Sequence, residues 1–242
     1  MIVLFTDFGL AGPYTGQVEV VLHRDAPGVP VVSLFADAPA GRPKPSAYLL
    51  AAYAEWFPAG TVLLCVVDPG VGGPRRGVVV EADGRRYVGP DNGLFELVLR
   101  RAKSPRCWEI AWRPPALSAS FHGRDLFAPV AARLACGEAP SAMARVTEPS
   151  ARPDWPDDLA EIVYIDHYGN ALTGLRGACL PAAAQLDAAG RRIAHATTFS
   201  SVPTGEAFWY VNANGLIEIA VNSGRADRTL GLAVGSEFAI LG

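Results

Sequence analysis

Three carboxylates, an arginine and a histidine stand where a chain of this kind does chemistry. Asp7 follows the apolar run IVLFT, Asp68 follows TVLLCVV, and Asp91 lies in VGPDNG. In layered α/β folds ligands bind beyond the carboxyl ends of strands, so each acid is a candidate ligand contact. Asp91 is better explained as turn chemistry, because P-D-N-G favours a tight turn ahead of a helix. Asp7, before Phe8 and Gly9, is open to either reading. Asp68 asks for more. It enters a loop holding Gly70, Gly72 and Gly73, where missing side chains let backbone approach a ligand. Arg75, just beyond, can meet a carboxylate with a two-pronged fork that would keep it charged. A surface Asp–Arg pair is the plainer alternative. No G-K-[ST] follows, so the loop is not a phosphate-binding P-loop. His122 lies in FHGRD, where an aromatic, an imidazole, a glycine and an ion pair crowd into one helix entry. Further along, YIDHYGN places Asp166, Tyr168 and Asn170 at a strand end, although a tight turn would use the same residues. NANG, residues 212–215, reads as a hairpin turn.

The elements that must position these groups follow from periodicity. IVLFTDF, VPVVSLF, TVLLCVVD, GVVVEA, RRYVGPD and CWEIA read as strands. Residues 14–24 read as a helix with Val18, Val21 and Leu22 on one face. SAYLLAAYAEWF reads as a helix apolar on nearly all sides, with Ser46 as its N-cap and Pro58 as its stop, placed inside the domain. DNGLFELVLRRA and HGRDLFAPVAARLACG read as two more helices. Alternation of this kind predicts an α/β layered domain over residues 1–150. EPSARPDWPDD then packs prolines and acids together, so 151–158 is expected to be a linker. EIVYID, AHATTF, EAFWYV, LIEIAV and EFAIL predict short strands and a small antiparallel β domain over 159–242. His23 suits a helix C-terminus, and His195, in mid-strand, reads as structural.

Composition narrows the class. With 242 residues, half of them hydrophobic, the chain can build one large core or two modest ones. Its net charge of −3 and lack of a basic run argue against nucleic-acid binding. The longest apolar runs are too short to cross a bilayer, and the N-terminal strand lacks the features of a signal peptide. Cys65, Cys107, Cys136 and Cys179 are widely spaced, which suggests buried reduced thiols in a cytoplasmic protein and neither zinc site nor disulfides. No metal is expected.

T-D-F-G, V-V-D-P-G-V-G-x-x-R-R, P-D-N-G, F-H-G-R-D, I-D-x-x-G-N and N-x-x-G-x-x-E-I-A-V-N occur in one order from residue 2 to about 240. In this the chain resembles the S-adenosylmethionine (SAM) hydroxide adenosyltransferases, hydrolases related to the SAM-dependent fluorinase and chlorinase. The resemblance implies a mixed-sheet α/β N-terminal domain, a C-terminal β-barrel, and a homotrimer with active sites between subunits. It implies that water displaces L-methionine from ribose C5′ to give adenosine, with SAM as substrate and no cofactor. Asp68, Arg75 and His122 match the family's catalytic set; either Asp68 or His122 could take the proton.

By the same resemblance Asp7 matches a ribose contact, Asp166 a methionine-ammonium contact, and Asn170 an adenine contact aided by backbone near Ser223. Tyr168 and Phe199 match adenine-stacking positions, with barrel core as the alternative. Some residues depart from the relatives. Asp68 and Gly123 replace a tyrosine and a serine of the halogenating enzymes, which favours hydrolysis over halide transfer. The loop at residues 35–46 lacks the aromatic that the relatives place beneath the ribose, with Ala40 nearby instead. Ala213 and Asn214 replace a serine and an arginine, and Thr173-Gly174 replaces T-N. A halide-using transferase and a non-catalytic SAM- or nucleoside-binding protein remain as rival expectations.

Overall fold

The computed structural model describes residues 1–241, so Gly242, the last residue of the expected second domain, lies outside them. The chain forms two compact units, one ending at Arg152 and the other starting at Pro153. In the first unit the elements run β1 (Ile2–Thr6), α1 (Tyr14–Asp25), β2 (Val31–Phe35), α2 (Pro43–Ala54), β3 (Val62–Val66), β4 (Gly77–Ala82), β5 (Arg85–Pro90), α3 (Glu96–Arg101), β6 (Arg106–Ile110), α4 (Ala128–Ala135) and β7 (Ala144–Val146). Their sheet has the order β2-β1-β3-β5-β4-β6-β7. The strands are parallel from β2 to β5 and antiparallel from β5 to β7, so the sheet is mixed. Val18, Leu22, Val130, Ala131 and Leu134 of α1 and α4 share one core with Ile2, Leu4 and Leu64 of the central strands. Fully buried apolar side chains of this kind each contribute about 1.5–3 kcal/mol.

Several helix boundaries differ from the sequence expectation for local reasons. Helix α2 starts at Pro43, and Ser46 lies inside its first turn with Oγ donating to the Arg42 carbonyl at 2.8 Å. Pro43 and Pro45 fix φ and lack N–H groups where the helix needs none, so no side-chain cap is required. The helix expected from Asp91 starts only at Glu96, because Asn92 builds a turn first: its Oδ1 accepts from the Leu94 N–H at 3.2 Å. The helix expected from His122 is divided. Gly123–Phe127 forms a π turn, with the Ala128 N–H bonded back to the Gly123 carbonyl, before α4 begins. Pro129 explains the slip, since it lacks the N–H that would bond to Asp125 and its ring crowds that carbonyl.

In the second unit β8 (Leu159–Ile165), β9 (Ala171–Arg176), β10 (Gln185–Ala188), β11 (Arg191–His195), β12 (Ala207–Val211), β13 (Leu216–Val221), α5 (Ala226–Leu230) and β14 (Ala239–Leu241) form a sheet of order β14-β10-β11-β12-β13-β9-β8. The sheet curls, and its edge strand β8 bridges back through Glu161 to Glu237, just before β14. It is not wholly antiparallel: β11 and β12 pair in parallel. Residues 196–206 supply the crossover that a parallel pair needs, and AHATTF therefore ceases to be strand after His195. Strand β9, absent from the sequence reading, pairs with both β8 and β13.

His195 packs against Trp209 with ring centroids 4.5 Å apart. All four cysteines are free, but Cys136 and Cys179 are exposed, contrary to the expectation of burial. Among the described residues no helix is long and apolar enough to cross a membrane.

Candidate active site

Strands β1 and β3 are parallel neighbours, with Thr6 beside Val66, so Asp7 and Asp68 leave the sheet at the same end. The Asp7 N–H bonds to the Val66 carbonyl at 3.2 Å, which fixes the two strand ends together. Asn92 adds a second tie, donating to the Val67 carbonyl at 2.8 Å directly ahead of Asp68. Both acids line a small pocket of about 70 Å³, along with Phe8, Phe121, His122 and Gly123.

Arg75 is the centre of the cluster. Its Nε donates to both oxygens of Asp68 at 2.9 Å, and a terminal nitrogen bonds to Oδ2. The same guanidinium nitrogen donates to His122 Nδ1 at 2.9 Å, and the guanidinium lies 5.2 Å from the Phe127 ring centre. Only 12% of the Arg75 side chain and 5% of Asp68 are exposed, so this is not a surface ion pair. A guanidinium can only donate, so Nδ1 must be accepting and the neutral imidazole carries its proton on Nε2. Burial first, and the Arg75 charge second, hold the His122 pKa below its ordinary value.

Asp7 is held differently. Its Oδ2 accepts from the Gly41 N–H at 2.8 Å, which anchors the loop around Ala40 and leaves Oδ1 for another donor. Burial pushes its pKa up, and the nearby Asp68 charge adds to that, against the Gly41 bond.

Glycines set the walls. A Cβ on Gly72, whose φ is +79°, would come 2.4 Å from the Ala119 carbonyl oxygen, so the Asp68 loop reaches the His122 segment only without one. A Cβ on Gly123 would come 2.9 Å from the Phe8 ring. Phe8, Tyr14 and Phe121 form an aromatic group with centroids 5.5–6.4 Å apart, so the space a serine would need at 123 is already filled. In the sequence Phe8 was read only as part of T-D-F-G and Tyr14 only as the start of a helix; that the two rings pack together was not anticipated.

Neighbouring residues of the same motifs do other work. Arg76 donates to Asp91 Oδ2 at 2.5 Å, to Thr147 Oγ1 at 2.7 Å and to the Glu148 carbonyl at 2.9 Å. Ser150 donates to Asp91 through its N–H and its hydroxyl. Asp91 is thus a tether for residues 147–150, while Asn92 makes the turn expected of Asp91.

In the second unit the Asp166–Asn170 turn closes between β8 and β9. Asp166 Oδ1 accepts from the Asn170 N–H at 2.8 Å, and Oδ2 from its side-chain Nδ2 at 3.1 Å. Gly169, φ +85°, leaves no room for a Cβ against Asp227 and Arg225. Its carbonyl accepts from the Asp227 N–H at 3.0 Å, which brings the segment after Ser223 to this turn. Phe199 packs edge-on to Phe208 at 5.0 Å and lies 5.6 Å from Tyr210. The Asn214 N–H bonds to Asn212 Oδ1 at 2.9 Å. Tyr168 stands apart: its ring is 72% exposed against His167, so it is not core. Thr173 is buried, with its hydroxyl bonded to the Ile217 carbonyl at 2.8 Å.

A charged residue missed in the sequence lies among these groups. Glu218 sits in LIEIAV, every residue of which is buried. Its oxygens accept from Tyr210 Oη at 2.5 Å and Asn212 Nδ2 at 2.9 Å. A carboxylate inside an otherwise apolar strand was the signal, since such a group is kept only when hydrogen-bonded.

Fold and site together define a two-unit chain whose acids gather beyond adjacent parallel strands, the ligand-binding end of a layered sheet. Residues 2–144 match the SAM hydroxide adenosyltransferase N-terminal domain and 160–239 the corresponding C-terminal domain, and the chain belongs to that family. It is 40% identical to a Thermus thermophilus protein named (R)-S-adenosyl-L-methionine hydrolase, over 98% of this chain and 97% of that one. A Salinispora arenicola protein of the same name is 36% identical over 97% and 95%. The crystal structure of an uncharacterized conserved protein from Thermotoga maritima matches with a TM-score of 0.91 at 27% identity, covering both chains fully.

Proposed function

We propose that the chain hydrolyses SAM to adenosine and L-methionine, with the (R)-sulfonium named in its relatives as the substrate form. The observation that carries this reading is the Arg75 fork, which holds Asp68 and His122 together at the pocket wall. Water oxygen attacks C5′, the C5′–S bond breaks, and its electron pair leaves with sulfur as a neutral thioether. Such a leaving group needs no general acid, and the chemistry calls for no cofactor. The water proton goes to Asp68. Nδ1 of His122 already accepts from Arg75, and Nε2 carries hydrogen, so the imidazole donates to the water oxygen and aims it. As hydroxide-like oxygen meets a sulfonium, charge separation falls, and a partly dry pocket favours that over bulk water. Asp7 takes a ribose hydroxyl on Oδ1; Asp166, Asn170, Asn214, Ser223 and Phe199 hold methionine and adenine, with Tyr168 stacking on the base.

A homotrimer with inter-subunit sites, and full closure of the curled second sheet into a barrel, belong to the same reading. Gly123 against Phe8 leaves no place for a halide-binding serine, which supports water as the nucleophile. Purified protein incubated with SAM, with products resolved by chromatography, tests this: equal amounts of adenosine and methionine are expected. Absence of adenosine would sink it, and 5′-halo-5′-deoxyadenosine formed with chloride or fluoride would replace it with halide transfer.

A further inference from the structure

The Arg75 guanidinium meets three side chains. It donates to Asp68 and His122, and it lies over the Phe127 ring, 5.2 Å from the ring centre. Phe127 is fully buried and does not line the pocket, so it reaches the chemistry only through Arg75.

Two features of the fold bring the ring there. His122 and Phe127 are five residues apart in sequence. In an α-helix such residues point about 140° apart around the axis, too far for both to meet one group. A π turn closes over five residues, so residues at that spacing stack on one face, as i and i+4 do in an α-helix. The turn Gly123–Phe127 thus directs the imidazole and the phenyl ring toward the same guanidinium. The second feature is Gly77, two residues beyond Arg75 at the start of β4. A Cβ at 77 would come 2.8 Å from Phe127 Cε1, so the missing side chain is what gives the ring its place. A guanidinium is drawn to an aromatic face at this distance. Covered on that side and only 12% exposed, Arg75 is kept from swinging out to water.

We propose that Phe127, delivered by the π turn, is a positioning residue that fixes the Arg75 guanidinium in the orientation holding Asp68 and His122 together. This rests on the preceding reading of those three residues as the hydrolytic set. Phe127 acts on the water only through Arg75, so its loss lowers kcat and leaves KM for SAM nearly unchanged.

The test begins with Phe127→Leu, which keeps an apolar side chain and removes the ring. Its kcat for adenosine formation should fall about ten-fold with KM within about two-fold. Leucine also leaves a cavity, so a ring-fluorinated phenylalanine placed at 127 alone separates attraction from the filling of space. It nearly keeps the shape of the ring but weakens its pull on a cation, and should lower kcat about five-fold at an unchanged melting temperature. Wild-type kcat in the fluorinated protein means that the ring only fills space and overturns the proposal. A loss confined to KM in either protein overturns it too. If wild type forms no adenosine from SAM, the preceding reading fails, and Arg75 itself still gives the answer. Exchange of its Nε–H with water, followed by NMR and assigned with Arg75→Lys, should be about ten-fold faster in Phe127→Leu than in wild type. Equal exchange rates overturn the proposal.

Discussion

Asp68 in the first unit and Glu218 in the second are both nearly buried carboxylates, yet one is held by a cation and the other by neutral donors. Asp68 shares Arg75 with His122 and lines a pocket. Glu218 is enclosed by a phenol and amides within a strand buried along its whole length. The first arrangement holds an acid at a pocket wall beside a cation and an imidazole. The second spends its acceptors on fixing the orientation of other side chains. One acid faces a pocket, and the other organises its neighbours inside the sheet.

The comparison is most sharply broken at Asp68. Asp68→Asn should cut kcat by about 10² to 10⁴-fold while SAM affinity, by calorimetry, stays within a few-fold. Normal turnover would remove Asp68 from the base role. Arg75→Lys keeps the charge but loses the fork that orients both partners, and should cost about 10²-fold in kcat/KM in steady-state assays.

A smaller effect is expected from pH. The folded-state pKa of His122 is lowered below 6.5, so the neutral form prevails at and above that value. The imidazole's contribution to stability is complete above about 6.5 and declines as pH falls toward the lowered folded value. A kcat/KM profile should therefore be flat above neutrality, with an acid limb centred below 6.5; His122→Asn should lower the plateau and lose that limb. A limb centred above 6.5 would contradict the neutral tautomer.

The smallest effect belongs to Arg76, next in sequence to Arg75. Arg76→Ala should leave kcat/KM within about two-fold and lower stability in urea titrations by about 1–2 kcal/mol, because it frees Asp91 and the 147–150 segment. A large loss of activity would mean that the two arginines do not divide their work as the geometry indicates.

Much of the first unit was legible because its strands are continuous apolar runs ending in acids, and Asp68, Arg75 and His122 lie within short motifs. Their meeting was not legible, since Arg75 reaches His122 across a long sequence separation. Arg76 had no discernible role because its partners, Asp91, Thr147 and the Glu148 carbonyl, come from distant segments. The π turn escaped notice because apolar periodicity continues through Pro129. In the second unit, short strands made pairing direction unreadable: β11 and β12 look like hairpin neighbours until the crossover 196–206 is seen. Glu218 was visible as a carboxylate inside the apolar run LIEIAV, but its partners on β12 and in the 212–215 turn were not legible.

Hydrolysis by water at C5′, with methionine leaving, is tested most directly by turnover of SAM in heavy-oxygen water followed by mass spectrometry of both products. The account predicts one heavy oxygen in the adenosine, at its 5′ position, and none in the methionine. Unlabelled adenosine, label in methionine, or no adenosine at all would contradict it.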